Sequence, residues 1–420
     1  MKSALRFHAL LLIVGAALVG CGGGGGSSSS GSSGSGSGST PSASAPTSST
    51  GASNTSANVP QSTTPNVQPV TVGVAPGNTR NMLMTSVTVC LAGTSNCATI
   101  DDIQVDTGSN GLRILASALP TTLSLPTIAA GSGVSAECAV FGSGYAWGSI
   151  RTADVRMAGQ QASSIPIQLI ADSALPGAPA DCANSGGASL LAVSSLHANG
   201  ILGVGLFPVD CGNGCANSAL PRWYYSCTTN GCSATAQPLA QQVTNPVSSF
   251  PLDNNGVVID LPAVADAGAA SVSGSLIFGI GTQSNNTLTS TNVVRANSAT
   301  GYVTTNSGGL TYAVSYLDSG SNGLFFHSTQ FPLCGFWYCP TSTQSANASI
   351  TGIDGVSRTV SFDIANSNTL FASSNNAFDN LAGNSSLGFG WGLPFFYGKR
   401  IYTAIATRNT SAGQGPYYAF

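Results

Sequence analysis

Charge is scarce in this chain. Of 420 residues, 12 are Lys or Arg and 15 are Asp or Glu, a charged fraction of 6%, against about 25% in ordinary soluble domains. Coiled coils and long-helix proteins need Glu and Lys in bulk, so that class is excluded. Two lysines, Lys2 and Lys399, and a net charge of −3 leave no basic footprint for nucleic acid. Histidine is scarcer still, with His8, His197 and His327 alone. His8 falls in a segment expected to be removed, so a three-histidine metal site is excluded. A Ser-His-Asp triad would have to recruit one of two isolated histidines, and both read as hydrogen-bonded or exposed bystanders. Beyond residue 21 no stretch reaches the ~18 apolar residues of a transmembrane helix. In place of charge the chain carries 52 glycines and much Ser, Thr, Asn and Val.

Residues 1–20 read as a targeting segment. Lys2 and Arg6 give a positive start, and residues 10–19 give an apolar run too short to span a bilayer. The run ends in Leu18-Val19-Gly20-Cys21, which resembles the lipobox of bacterial lipoproteins. That resemblance implies lipidation at Cys21 and a place in the bacterial cell envelope. With Gly22 next, the outer membrane is favoured where the host has one. Residues 21–65 are nearly all Gly, Ser, Thr, Ala, Asn and Pro, with no charge before Arg80. Such a tract cannot bury apolar surface and is expected to be a disordered tether. As a flexible coil, its ~44 residues reach roughly 35 to 40 Å. Lipid is the one membrane contact expected.

Setting Cys21 aside leaves ten cysteines, an even number in a chain expected to be exported, which predicts five disulfides. Close spacing suggests Cys90–Cys97, Cys211–Cys215, Cys227–Cys232 and Cys334–Cys339, leaving Cys138 for Cys182. The tight pairs are spaced CxxxC or wider, so no CxxC metal or redox motif exists. Short runs rich in β-branched or aromatic residues, bounded by Gly, Asn, Ser or Pro, predict strands. They lie near residues 70–74, 86–91, 100–105, 165–170, 257–261, 312–317, 359–364 and 401–405. Brief helices are expected near residues 189–196 and 238–243. The fold class is all-β, with two domains expected from the ~355 residues after the tether.

An internal repeat carries the functional signal. Asp106-Thr107-Gly108-Ser109-Asn110-Gly111-Leu112 recurs as Asp318-Ser319-Gly320-Ser321-Asn322-Gly323-Leu324. Six of seven positions are identical, and the seventh exchanges Thr for Ser. Each copy follows an apolar strand and precedes another apolar stretch. A lone Asp-Thr-Gly is an ordinary turn, whereas two matched copies 212 residues apart suggest one carboxylate loop per domain.

At these residues the chain resembles the bilobal, pepsin-like aspartic peptidases, whose two lobes each give one Asp-[Thr/Ser]-Gly-[Ser/Thr] loop to a central cleft. Phe141-Gly142-Ser143-Gly144-Tyr145 with Trp147-Gly148 resembles the flap hairpin of that family. Residues 199–205 resemble the strand that closes the first loop, and residues 275–279 resemble a strand early in the second lobe. Residues 387–396 stand where the second closing segment belongs. Their Gly-Leu-Pro-Phe-Phe also looks like an exported bacterial branch of unknown function. The resemblance implies an N-terminal β lobe over residues 66–252 and a C-terminal β lobe over residues 253–420. It also implies a peptide or protein substrate, no cofactor, no metal and a monomeric state.

Two carboxylates a few ångström apart cannot both ionise, so such a pair holds one proton. The ionised member takes a proton from water and the neutral member donates one to the scissile carbonyl. Gly108 and Gly320 let the backbone approach the opposing carboxylate. By resemblance, Thr107 and Ser319 cross-brace the loops, and Ser109 and Ser321 hydrogen-bond the outer carboxylate oxygens. Three departures stand out. Asn follows the serine in both copies, and Phe141 replaces the flap tyrosine, with Tyr145 or Trp147 as substitutes on the same hairpin. The second closing segment is rich in Gly and Trp. A pepsin-fold surface protein that binds without turnover is the alternative. Turn carboxylates in a duplicated β-domain, or a glycosidase pair, fit the matched loops less well. Asp101-Asp102 reads as a solvated strand start, and Trp147, Trp223, Trp337 and Trp391 as core or loop anchors.

Overall fold

The computed structural model describes residues 65–289 and 292–420. Cys21, the lipobox and nearly all of the tether lie outside them. Among the described residues the chain is β-rich, with a 17-stranded sheet, a nine-stranded sheet and a two-stranded ribbon. No helix there is long and apolar enough to cross a membrane.

Every expected strand is present, most with shifted ends. The first is Val67–Val72, and the last of those expected is Lys399–Ala404. The helical segments shrink to Val193–Leu196 and a single 3-10 turn, Leu239–Gln241. A further helix, Ser367–Ala372, starts at Asn366, whose side chain accepts from the Asn368 and Thr369 amides.

One run of strands joins the first and last of the described strands. Leu83–Cys90 pairs with Val67–Val72, and Val67–Val72 pairs with Val272–Phe278. Gly256–Leu261, Lys399–Ala404, Tyr417–Ala419 and Val293–Arg295 follow in order. Strands from before and after residue 252 therefore share one sheet. Alternate residues explain why these strands read as continuous apolar runs. Val257, Ile259, Ile401 and Leu276 face the main core, while Val258, Tyr402 and Ile277 face a second cluster behind it.

The nine-stranded sheet lies entirely in the later part of the chain, from Val303–Ser307 to Phe389–Trp391. Its core is aromatic. Phe389 stacks on Phe326 at 4.6 Å and on Trp391 at 4.3 Å, with Phe362 edge-on to both Phe389 and Trp391. Each such pair adds about 0.5–1.5 kcal/mol beyond its buried area.

All five disulfides pair as spacing and elimination suggested. Cys90–Cys97 and Cys227–Cys232 cross directly paired strand positions. Cys138–Cys182 closes 44 residues of sequence, and constraining an unfolded loop of that size is worth about 4 kcal/mol. A protein with five disulfides belongs in an oxidising extracytoplasmic compartment.

Candidate active site

Each Asp loop is held by the same three-strand device. Cys97–Asp106 ends at the first carboxylate, and Asn110–Leu115 leaves the turn. Gly200–Val204 lies between them, parallel to the first strand with Gly203 opposite Asp106, and antiparallel to the second with Gly203 opposite Gly111. In the nine-stranded sheet, Phe389–Trp391 runs parallel to Leu310–Leu317 and antiparallel to Leu324–Phe325. Each of these segments thus pairs with both arms of an Asp loop. The Trp in the second one is a core anchor, because Trp391 is fully buried and its indole N–H donates to Thr305 Oγ1 at 3.0 Å.

The two loops meet. The Thr107 amide donates to Ser319 Oγ at 3.1 Å, and the Ser319 amide donates to Thr107 Oγ1 at 2.9 Å. Each hydroxyl then donates across to the opposite strand. Thr107 Oγ1 reaches the Leu317 carbonyl at 3.0 Å, and Ser319 Oγ reaches the Val105 carbonyl at 2.8 Å. These four reciprocal bonds are buried, with Thr107 2% and Ser319 0% exposed. They fix one carboxylate relative to the other.

The carboxyl groups of Asp106 and Asp318 each stand against the glycine of the opposite loop. Ser109 Oγ donates to Asp106 Oδ2 at 2.5 Å, and Ser321 Oγ to Asp318 Oδ2 at 2.7 Å. The Gly108 and Gly320 amides donate to the Oδ1 atoms of their own loops at 2.7 and 2.9 Å. A Cβ on Gly108 would stand 2.6 Å from Asp318 Cγ, and one on Gly320 2.6 Å from Asp106 Oδ1. Glycine is required at both positions by contact alone. Burial, the Asp106 charge and the hydrogen bond to Asp106 raise the Asp318 carboxyl to about 8. Asp106 is 7% exposed and Asp318 is partly exposed, so solvent reaches the pair.

The Asn departures have structural partners. Asn110 Oδ1 accepts from the Phe207 amide at 2.9 Å, tying the first loop to the chain beyond Gly205. Asn322 Nδ2 donates to the Arg80 carbonyl at 3.2 Å, and Asn81 Nδ2 donates to the Asn322 carbonyl at 3.0 Å. Both asparagines brace loop exits.

The hairpin of Gly133–Phe141 and Gly144–Met157 turns between Phe141 and Gly144, with Gly142 exposed at the tip. Its two faces differ. Phe141 pairs with Gly144 and packs with Ala139 and Ala146, whereas Tyr145 and Trp147 lie on the opposite face. Trp147 is 4% exposed, edge-on to Tyr225, and its indole donates to the Pro176 carbonyl at 3.0 Å.

Sequence reasoning missed three residues at the pair. Gln104 Nε2 donates to the Gly320 carbonyl at 2.7 Å, crossing from one loop's strand to the other loop. Tyr316 and Tyr418 are raised by burial and then by the nearby Asp318 and Asp106 charges. Gln104 and Tyr316 each stand two residues before their Asp, so strand alternation was the available signal. The remaining singled-out groups have local roles. His197 packs on Gly77, and His327 Nδ1 lies 3.1 Å from Asn384 Oδ1. Asp101 accepts from Ser86 Oγ at 2.6 Å.

No curated protein matches the chain. Residues 62–420 match the family described as "Protein of unknown function (DUF3443)". That span holds both Asp loops, the hairpin and all ten paired cysteines, and the chain belongs to that family.

Proposed function

We propose that this chain is an aspartic endopeptidase of pepsin-like bilobal fold. Asp106 and Asp318 share one proton and activate a water molecule against a peptide carbonyl. The observation that supports this reading is the reciprocal bracing of two matched Asp loops, with each carboxyl standing against the glycine of the other loop. The ionised carboxylate takes a proton from water as the water oxygen bonds to the carbonyl carbon. The neutral carboxyl gives its proton to the carbonyl oxygen, forming a gem-diol. Collapse of the diol breaks the C–N bond, the nitrogen takes a proton from the pair, and an acid and an amine leave. The serines on the Oδ2 atoms and the glycine amides on the Oδ1 atoms hold each carboxyl in the plane this exchange needs. We also propose that the chain is lipid-anchored through Cys21 in the bacterial cell envelope, the tether carrying the folded body away from the membrane.

One observation favours a second reading, a protein that binds peptides without cleaving them. Phe141 has no hydroxyl, and Tyr145 and Trp147 face away from it. A peptide carrying a tetrahedral hydroxyl in place of the scissile carbonyl separates the two. Under the peptidase reading it blocks cleavage of a peptide pool and binds at least about 100-fold more tightly than the matching amide. Equal binding of both, with no cleavage, would select the binding protein.

A further inference from the structure

A second buried carboxylate pair, Glu137 and Asp210, meets at Arg113, seven residues along the chain from Asp106. Arg113, on the strand leaving the first loop, is 3% exposed. Its Nη2 donates to Glu137 Oε1 at 2.7 Å and to Asp210 Oδ2 at 3.1 Å. Its Nη1 donates to the Asn110 carbonyl at 2.7 Å. The guanidinium carbon lies 5.8 Å from the centre of the Phe141 ring. Asp210 Oδ1 accepts from the Tyr224 hydroxyl at 2.6 Å, which itself accepts from the Val243 amide at 2.7 Å. Glu137 is fully buried, and the Asp210 side chain is 3% exposed. One residue thus ties the loop exit, the hairpin tip, the strand beneath the tip and the segment after Phe207.

The charges do not balance. Two buried carboxylates face one guanidinium, and an uncompensated buried charge costs several kcal/mol. Three of the four carboxylate oxygens have donors, and Glu137 Oε2 has none among the described residues. Glu137 Oε1 and Asp210 Oδ2 meet at the same nitrogen, Arg113 Nη2, so two like charges would stand side by side in a buried site. The titratable groups facing one another here are Arg113, Glu137, Asp210 and Tyr224. The contact from Gln168 is neutral, its amide donating to the Glu137 carbonyl at 2.8 Å.

We propose that Glu137 and Asp210 share one proton, and that with Arg113 they form a pH-dependent latch holding the Phe141 hairpin against the first Asp loop. Its role as a control on cleavage rests on the peptidase reading. The sign follows from the geometry. Burial and then Glu137 hold the Asp210 carboxyl well above the ordinary range, so the closed hairpin carries a proton that the opened one loses. The latch is therefore complete in acid, and it is lost as pH rises through the raised value. Arg113 and Glu137 are positioning residues and touch no substrate.

Hydrogen–deuterium exchange of residues 139–146 in the full chain tests this, with rates referred to the same peptide unfolded at each pH. In the wild type, opening coupled to release of one proton makes protection fall about tenfold per pH unit above the ordinary carboxylate range. Glu137→Gln supplies a permanent N–H donor and has no proton to lose, so its protection should stay level across that window. Asp210→Asn makes the same test should the first variant misfold. Level protection in the wild type, or an equal fall in wild type and both variants, would overturn the latch. The readout needs no substrate. Cleavage with level protection would reject the latch alone, and proton-coupled opening without cleavage would reject the peptidase alone.

Discussion

Asp318→Asn should lower peptide cleavage by about 10³- to 10⁴-fold while making the fold more stable at neutral pH. The two effects have one origin. In the folded protein the Asp318 carboxyl is raised to about 8 by burial, the Asp106 charge and the hydrogen bond to Asp106. The unfolded chain releases that proton near the ordinary Asp value of about 4. Between those limits folding takes up a proton, so stability falls as pH rises, by up to about 1.4 kcal/mol per pH unit. Asparagine keeps the shape and offers a neutral N–H donor to Asp106, which removes the uptake together with the proton exchange that cleavage requires. Denaturant unfolding at about pH 4 and about pH 7 should show the variant gaining a few kcal/mol on the wild type across that interval. Equal pH dependence of stability in the two proteins would mean that no proton is shared at the pair.

Arg113→Met should destabilise the protein by about 3–5 kcal/mol at neutral pH, because it strands Glu137 and Asp210 without a cation. Methionine retains much of the apolar stem, so the loss reports charge more than packing. The penalty should shrink in acid, where both carboxyls can be neutral. Arg113→Lys should recover part of it, since a single ammonium cannot reproduce the fork that reaches Glu137, Asp210 and Asn110 together. Unfolding measured at two pH values checks the claim. A loss below about 1 kcal/mol, or one equal at both pH values, would show that the cluster behaves as an exposed pair does.

The legible part of this molecule was whatever repeats or pairs over short distances. Asp106 and Asp318 announce themselves through duplicated loops, and four disulfides join cysteines at most seven residues apart. The strands rich in Val and Ile could be read for the same reason. Beyond the hairpin tip, the rest of Gly144–Met157 was hidden because Ser, Ala, Arg and Asp interrupt its β-branched residues, yet the strand is 14 residues long and pairs on both edges. Long-range partners left no trace. Nothing in Val67–Val72 points to Val272–Phe278, and nothing in Arg113 points to Asp210, 97 residues away. The hairpin's two faces became clear only from register, since a shift of one residue would have put Tyr145 opposite Phe141 and Trp147 on the same face.

The most direct measurement is digestion of a diverse peptide pool by the full chain and by its Asp106→Asn variant, side by side, from about pH 3 to about pH 8. Asp106 is chosen because it tests the loop that Asp318→Asn leaves intact, and the pair is functional only as a pair. Cleavage by the wild type should vanish in the variant at every pH, with the variant folded and all five disulfides formed. Peptide cleavage surviving in folded Asp106→Asn, or none by the folded wild type anywhere in that range, would contradict the peptidase reading.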